Sequence, residues 1–179
     1  GLLFWLAAML SYSPQDAAWS TSGSAEAVNG AQAVARNWGG RVGAWVADIS
    51  YFLLGFSVWW ALAAGCPAWL QSLARGLRGE PRTAAALPRA GYRIRFWLGL
   101  ALLLVVSAAL EWSRLYRFEY LLPGHAGGVL GYLAGTLGVK WLGFAGSGLV
   151  FIALGVIAVS VVFGFSWARV ALVLGTRVD

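Results

Sequence analysis

Few side chains in this 179-residue sequence could carry chemistry, and they are widely spaced. The chain has one cysteine, Cys66, and one histidine, His125, so it cannot form an intrachain disulfide, a Cys-based zinc site or a recognisable nucleophile–base pair. The one lysine, Lys140, does not stand in the Gly-x-x-x-x-Gly-Lys-Ser/Thr loop that holds nucleotide phosphates. We therefore expect no catalytic residue, no cofactor-binding residue and no metal ligand.

Asp48 is the acid that lies most clearly inside an apolar run. An ionisable side chain in lipid is costly and is by default a functional hypothesis. We favour a structural role, because Asp48 lies near the predicted outer N-terminus of a helix, where the macrodipole and water stabilise negative charge. Arg41 is its expected partner. The alternative is a small proton-coupled transporter or membrane enzyme that uses Asp48 with Glu111 and His125.

The composition indicates the class of protein. Hydrophobic residues make up 60% of the chain and charged residues only 11%, and the mean hydropathy is +0.71. These values are typical of an integral membrane protein. Because the longer apolar runs suffice to cross lipid as helices, we predict an all-α membrane protein.

The positive charge is concentrated in one short stretch. Residues 75–95 carry six arginines and one acid, Glu80, so they hold +5 of the formal net charge of +6. The arginines are Arg75, Arg78, Arg82, Arg89, Arg93 and Arg95. Excess arginine in a short loop marks the cytoplasmic side of a membrane. A nucleic-acid-binding patch is the alternative, but the flanking runs are too apolar for a soluble binding surface.

The apolar runs predict four transmembrane helices within a membrane domain of residues 1–168. The predicted spans are 1–13, 44–70, 94–112 and 148–167. The first is shorter than the roughly 20 residues that a helix needs to cross lipid, so we interpret it as a truncated span. Residues 14–43 and 113–147 are then outer, 71–93 form the cytoplasmic arginine loop, and 169–179 begin a cytoplasmic linker. Both termini are predicted to be cytoplasmic.

Residues 127–144 are apolar but rich in glycine. If they crossed the membrane, the last span would place Arg169 and Arg177 outside, against the positive-inside bias. We therefore predict an interfacial or re-entrant helix before the fourth span. Gly127, Gly131 and Gly135 recur at every fourth residue, a pattern that allows two helix backbones to approach closely. Their partner could be the same chain or a neighbouring subunit.

Several segments resemble the N-terminal membrane domain of the bacterial FtsK/SpoIIIE DNA translocases. They are residues 10–16 (LSYSPQD) with Trp19-Ser20, residues 37–48 (NWGGRVGAWVAD, with Gly39, Gly40, Gly43 and Asp48), residues 127–131 (GGVLG, with Gly127, Gly128 and Gly131) and residues 164–167 (GFSW). The likeness extends over most of the chain. It implies four transmembrane helices with both ends in the cytoplasm, as the charge distribution also predicts.

The resemblance also implies a biological role. Domains of this family anchor a DNA translocase at the division septum of the bacterial inner membrane, and they contact other division proteins. A linker joins them to a hexameric motor that uses ATP and Mg, and the residues of that motor are not among these 179. We therefore expect a non-catalytic anchor and assembly domain for cell division and chromosome segregation.

Partners follow from this interpretation. We expect contact with membrane lipids, self-association because a hexameric motor raises the effective concentration of its anchors, and no direct contact with DNA. A channel built from several copies is a third alternative, but the predicted spans contain few polar residues to line its pore.

Overall fold

The computed structural model describes residues 1–20, 35–79 and 90–167, and these residues form helices and turns without a β-strand. The helices are α1 (Leu2–Leu10), α2 (Gly40–Leu54), α3 (Val58–Leu77), α4 (Ala90–Arg114) and α5 (Gly128–Phe163). A 3₁₀ turn at Gly55–Ser57 joins α2 to α3, and a second, Tyr116–Leu121, follows α4. The predicted all-α class is confirmed for the described residues.

Three helical stretches are long and apolar enough to cross a membrane. They are Gly40–Leu77, Gly91–Arg114 and Gly128–Phe163. α1 has nine residues, fewer than the roughly 20 that a crossing helix needs. The membrane class is therefore supported, whereas the count of four spans and their bounds stay predictions.

The second predicted span, 44–70, is interrupted in the structure. α2 begins four residues earlier than predicted, at Gly40, and ends at Leu54; Gly55 then adopts φ 58° and ψ −146° before α3 begins. A Cβ on Gly55 would lie 2.6 Å from the Cα of Gly127. Only glycine allows both this conformation and this approach, so the interruption lies where two stretches of backbone cross.

α5 changes direction sharply at Gly143, which has the non-helical angles φ 68° and ψ 175°. A Cβ on Gly138 would collide with the ring of Phe151. In an uninterrupted helix these two positions would be about 20 Å apart, so the residues before Gly143 fold back against those after it. The predicted boundary between a glycine-rich helix and the last span lies close to this turn.

α1 runs antiparallel to α2 and α3, and the last part of α5 runs antiparallel to α4. Ala8 packs near Gly43 at the start of α2, whereas Leu2, at the other end of α1, reaches α3. Near the start of α4, Gly99 packs against the end of α5, and at the end of α4 Arg114 reaches the residues just after the turn in α5. The end of α1 therefore lies at the start of α2, and the end of α4 lies at the turn in α5.

The described arginines of the predicted loop lie at the other ends of α3 and α4, away from the turn at Gly55–Ser57. Arg75 and Arg78 stand at the end of α3, and Arg93 and Arg95 stand in the first turns of α4. A buried apolar cluster of Ala64 with residues of α4 and α5 packs these helices together below the arginines. Arg82, Arg89, Arg169 and Arg177 fall outside the described residues.

Candidate functional sites: the loop cluster and the Glu111 junction

Five polar residues from the connecting segments and α2 hold these segments by hydrogen bonds, and we call this set the loop cluster. Its members are Ser11, Asp16, Ser20, Asn37 and Asp48. Asp16 is buried, and its two carboxylate oxygens accept hydrogen bonds from the backbone N–H groups of Arg36 (2.9 Å) and Asn37 (3.0 Å). The carboxylate therefore joins two segments that are about 20 residues apart in the chain.

Asn37 and Trp38 attach the segment just before α2 to the end of α1. The Asn37 side-chain amide donates to the carbonyl of Ala8 at 2.8 Å, and its Oδ1 accepts from the N–H of Gly39 at 2.9 Å. The N–H of Trp38 donates to the Ser11 hydroxyl at 2.9 Å. These bonds satisfy backbone groups that no helix ladder satisfies at this point.

Gly39, Gly40 and Gly43, the glycines of the segment that resembles the family, have different surroundings. A Cβ on Gly39 would lie 2.9 Å from the ring of Phe4, and a Cβ on Gly43 would collide with Oδ1 of Asn37. Gly40 has φ 61° and nothing within 4 Å of such an atom. Two of the glycines therefore make room for neighbours, and one supplies a left-handed conformation.

Asp48 binds Ser20, which lies four residues after Asp16 in the same connecting segment. Asp48 is 1% exposed, and its two oxygens accept hydrogen bonds from the backbone N–H of Ser20 (2.8 Å) and from the Ser20 hydroxyl (2.7 Å). Arg41 and Asp48 are both described, and they form no ion pair. The structure therefore places Ser20, and not the expected Arg41, on the Asp48 carboxylate.

Glu111 forms the second site, which we call the Glu111 junction. It is 6% exposed and lies inside α4. One carboxyl oxygen accepts the N–H of Phe56 at 2.8 Å, and the other accepts the hydroxyl of Ser57. The hydroxyl of Ser107 donates to that of Ser57 at 2.7 Å. At the interruption the helix provides no acceptor for the Phe56 N–H, and the Glu111 carboxyl group provides one instead.

The start of α5 also packs on this junction. The backbone N–H of Gly127 faces the Glu111 carboxyl group. Gly128 has φ 62°, and a Cβ there would lie 2.6 Å from the carbonyl oxygen of Phe52. Glycine at both positions therefore lets the start of α5 reach the turn between α2 and α3.

The glycine stripe of α5 contacts α4 of the same chain. A Cβ on Gly127 or Gly131 would collide with the carbonyl of Ala108, and a Cβ on Gly135 would collide with the ring of Trp112. The structure therefore assigns a partner that the sequence pattern leaves open. Close backbone approach of this kind is what a small residue at every fourth position allows.

Arg114 is a positioning residue that the sequence pattern does not single out. Its guanidinium donates to the carbonyl of Phe144, just after the turn at Gly143, and lies 3.5 Å from the centroid of the Phe144 ring. Gly148 leaves space for it. Arg114 therefore satisfies a carbonyl at the turn and adds a cation–π contact.

The structure does not bring Asp48, Glu111 and His125 to one site. Asp48 belongs to the loop cluster, and Glu111 binds the turn between α2 and α3. His125 is exposed: its Nδ1 pairs with Glu119, and its ring stacks on Tyr132 with centroids 5.6 Å apart. Over residues 1–20, 35–79 and 90–167, no three His, Cys, Asp or Glu side chains are grouped so that they could hold a metal ion.

Sequence comparison relates most of this chain to known proteins. A family model described as the 4TM region of DNA translocase FtsK/SpoIIIE matches residues 1–175. DNA translocase FtsK 2 of Ralstonia nicotianae is 37% identical over 179 residues, and DNA translocase FtsK of Pseudomonas syringae pv. syringae is 35% identical over 175 residues. DNA translocase FtsK 1 of Neisseria meningitidis serogroup A is 31% identical over 172 residues.

The matches cover most of this chain but a small part of each relative. They include 97%, 97% and 92% of the chain, against 21%, 20% and 19% of the respective relatives. The chain therefore spans about a fifth of the length of these curated relatives. No solved structure matches it.

Proposed function

Because the chain belongs to the FtsK/SpoIIIE family of DNA translocases, as their 4TM region, we propose that it anchors a translocase in the bacterial inner membrane at the division septum. In this proposal the chain crosses the membrane four times and has no catalytic role. The arginine loop and both termini are cytoplasmic, and residues 14–43 and 113–147 lie outside, with 127–144 as an interfacial or re-entrant helix.

One observation carries this proposal: the arginines and the loop cluster occupy opposite ends of the helices. Arg75, Arg78, Arg93 and Arg95 stand where α3 ends and α4 begins, and the polar connecting segments pack where α1 ends and α2 begins. Arginine is retained on the cytoplasmic side during insertion and is attracted there by anionic lipids. A charge separation along the bundle therefore supports a fixed orientation.

The carboxyl groups of the bundle support a structural interpretation over the transporter. Both oxygens of Asp48 and both oxygens of Glu111 accept hydrogen bonds from groups that hold connecting segments or an interrupted helix in place. A proton carrier needs a path between titrating groups, and these two have separate sets of partners. No contact in the described residues favours the transporter.

Assembly belongs to the same proposal. Six anchors next to a hexameric motor would be held at a high effective concentration, which favours self-association. Other division proteins would contact the outer segments. DNA, ATP and Mg would be handled by other parts of such a translocase, so we propose no direct DNA contact and no cofactor in this region.

The orientation can be tested with cysteine labelling in intact cells. In a Cys66→Ala background, Arg82→Cys reports on which side of the membrane the arginine loop lies. Ser24→Cys is the matched control in the predicted outer loop. A thiol reagent that cannot cross the membrane should label Ser24→Cys in intact cells and Arg82→Cys only after permeabilisation. Labelling of Arg82→Cys in intact cells would invert the topology and overturn the proposed anchor.

A further inference from the structure

Two adjoining cavities lie between the first turns of α4 and the end of α5. The larger, of about 640 Å³, is lined by Tyr92, Arg95, Phe96, Ser160, Phe165 and Ser166, among others. The smaller, of about 250 Å³, is lined by Arg95 and otherwise only by apolar residues, including Leu98, Leu102 and Ile157. Arg95 and Val161 line both cavities. The two cavities therefore form one cleft with a polar part and an apolar part.

The closing GFSW segment, residues 164–167, builds one wall of the polar part. Gly164 ends α5 in a left-handed conformation with φ 65°, and the Ser160 hydroxyl donates to the carbonyl of Phe165 at 2.6 Å. The indole N–H of Trp167 donates to the carbonyl of Val156 at 3.2 Å. The chain thus folds back along the last turns of α5. Membrane anchoring alone does not require this wall.

Arg95 supplies the charge of the cleft. Across the described part of the chain, no acid lies within 4.0 Å of its guanidinium. A guanidinium presents a planar set of donors that matches a phosphate group, and charge-assisted hydrogen bonds of this kind are strong. Arg93 stands two residues away and adds to the positive potential. The polar part of the cleft therefore suits an anion.

The apolar part determines which kind of anion fits. Leu98 and Ile157 are exposed, at 66% and 55%, so the groove opens sideways on the surface that a crossing helix presents to lipid. A free phosphate ion would leave this groove empty, whereas an acyl chain would fill it. The larger cavity also has the size of an ordinary small-molecule site, roughly 300 to 1,000 Å³.

We propose that this cleft binds one anionic phospholipid, with its phosphate on the guanidinium of Arg95 and an acyl chain along Ile157. Basic pockets between transmembrane helices near the cytoplasmic surface are suited to anionic headgroups. Only the assignment to the inner leaflet rests on the proposed orientation. The lipid would fix the end of α5 against the start of α4.

The test uses purified protein in nanodiscs that contain equal amounts of phosphatidylglycerol and phosphatidylcholine. Native mass spectrometry then measures which lipid is retained after the nanodisc is removed. Arg95→Gln removes the phosphate contact, and Arg93→Gln is its control with the same loss of charge outside the cleft. Ile157→Trp fills the apolar groove, and Ile152→Trp is its control at a position on the same helix with the same 55% exposure.

We expect selective retention of one phosphatidylglycerol, weakened about tenfold by Arg95→Gln and by Ile157→Trp and less than about twofold by either control. Equal loss in Arg93→Gln and Arg95→Gln would show general attraction to charge and would overturn the site. Displacement by soluble glycerophosphate, with no effect of Ile157→Trp, would show an anion site without a lipid tail. Absence of lipid selectivity would also overturn the proposal.

Because both leaflets of such a nanodisc have the same composition, lipid binding does not depend on the orientation of the protein. A failure of lipid selectivity with normal thiol labelling would remove the lipid site and leave the anchor in place. Inverted labelling with normal lipid selectivity would overturn the proposed anchor and leave the lipid site in place.

Discussion

The loop cluster and the Glu111 junction both bury carboxyl groups, but they stabilise different parts of the molecule. In the loop cluster, Asp16 and Asp48 bind backbone N–H groups and a hydroxyl of the connecting segments. In the junction, Glu111 binds the backbone and a hydroxyl at the interruption between two helices. The loop cluster orders segments at one end of the bundle, and the junction holds together helices within it.

The difference lies in what could replace each carboxyl group. In the loop cluster two of the donor N–H groups belong to the exposed residues Ser20 and Arg36. Water can bind an N–H there that has lost its partner, so the loss is moderate. Within an apolar bundle no such partner is available, and an unsatisfied polar group costs several kcal/mol. The junction should therefore contribute more to stability than the loop cluster, although it contains a single acid.

The largest expected effect is that of Glu111→Ala. This change leaves the Phe56 N–H and the Ser57 hydroxyl without their acceptor, and each unsatisfied group costs about 1 to 3 kcal/mol. We expect the free energy of unfolding, measured by reversible denaturation in mixed micelles, to fall by about 2 to 6 kcal/mol. Glu111→Gln retains one acceptor oxygen and should cost roughly half as much. If Asp16→Ala were equally destabilising, the distinction between the two sites would be lost.

A second, smaller effect should separate two glycines with similar backbone angles. Gly127→Ala and Gly40→Ala both place a side chain at positive φ, which costs roughly 1 to 2 kcal/mol. Only the Cβ at Gly127 also collides, with the carbonyl of Ala108. We expect Gly127→Ala to lower the free energy of unfolding by about 1 to 3 kcal/mol more than Gly40→Ala. Equal effects would mean that the close approach of α5 to α4 contributes nothing.

The smallest effect is expected in the loop cluster. Asp48→Asn replaces a charge-assisted acceptor with a neutral one and should weaken the hydrogen bonds from Ser20 by roughly 1 kcal/mol. Hydrogen exchange at the Ser20 amide should then be about fivefold faster. Asp16→Asn is the matched control, because it should instead accelerate exchange at Arg36 and Asn37.

The same Asp48→Asn variant separates the anchor from the transporter. We expect no proton flux in liposomes with either the parent chain or the variant. Flux that is present in the parent chain and lost in the variant, with unchanged exchange at Ser20, would assign Asp48 to ion handling. It would also remove Asp48 from the loop cluster.

Local features of the sequence were sufficient for several parts of this description. The membrane class follows from apolar runs, and the clustering of arginine follows from counting charges in one short stretch. The change of direction near residue 143 lies close to the boundary predicted from glycine content and charge parity. Each of these inferences depends on neighbouring residues in the chain, so no long-range contact had to be known.

Other features depend on contacts between distant residues. Nothing near Asp16 indicates that it binds the backbone of residue 37, and nothing near Glu111 indicates that it binds an interruption 55 residues earlier. The loop acids and Asn37 lie in segments that resemble the family, but a resemblance assigns no partner. For the same reason Arg41 was expected beside Asp48, where the structure has Ser20.

The sequence by itself determined that this chain is a helical membrane protein with half of its arginines gathered in residues 75–95. The partition of apolar and charged side chains between lipid and water depends on their identity and not on their neighbours in space. Only the tertiary structure decided which groups satisfy the buried carboxyl oxygens and where glycine lets two backbones cross. Hydrogen bonds and close packing act over a few ångströms, so they are defined only after the helices have come together.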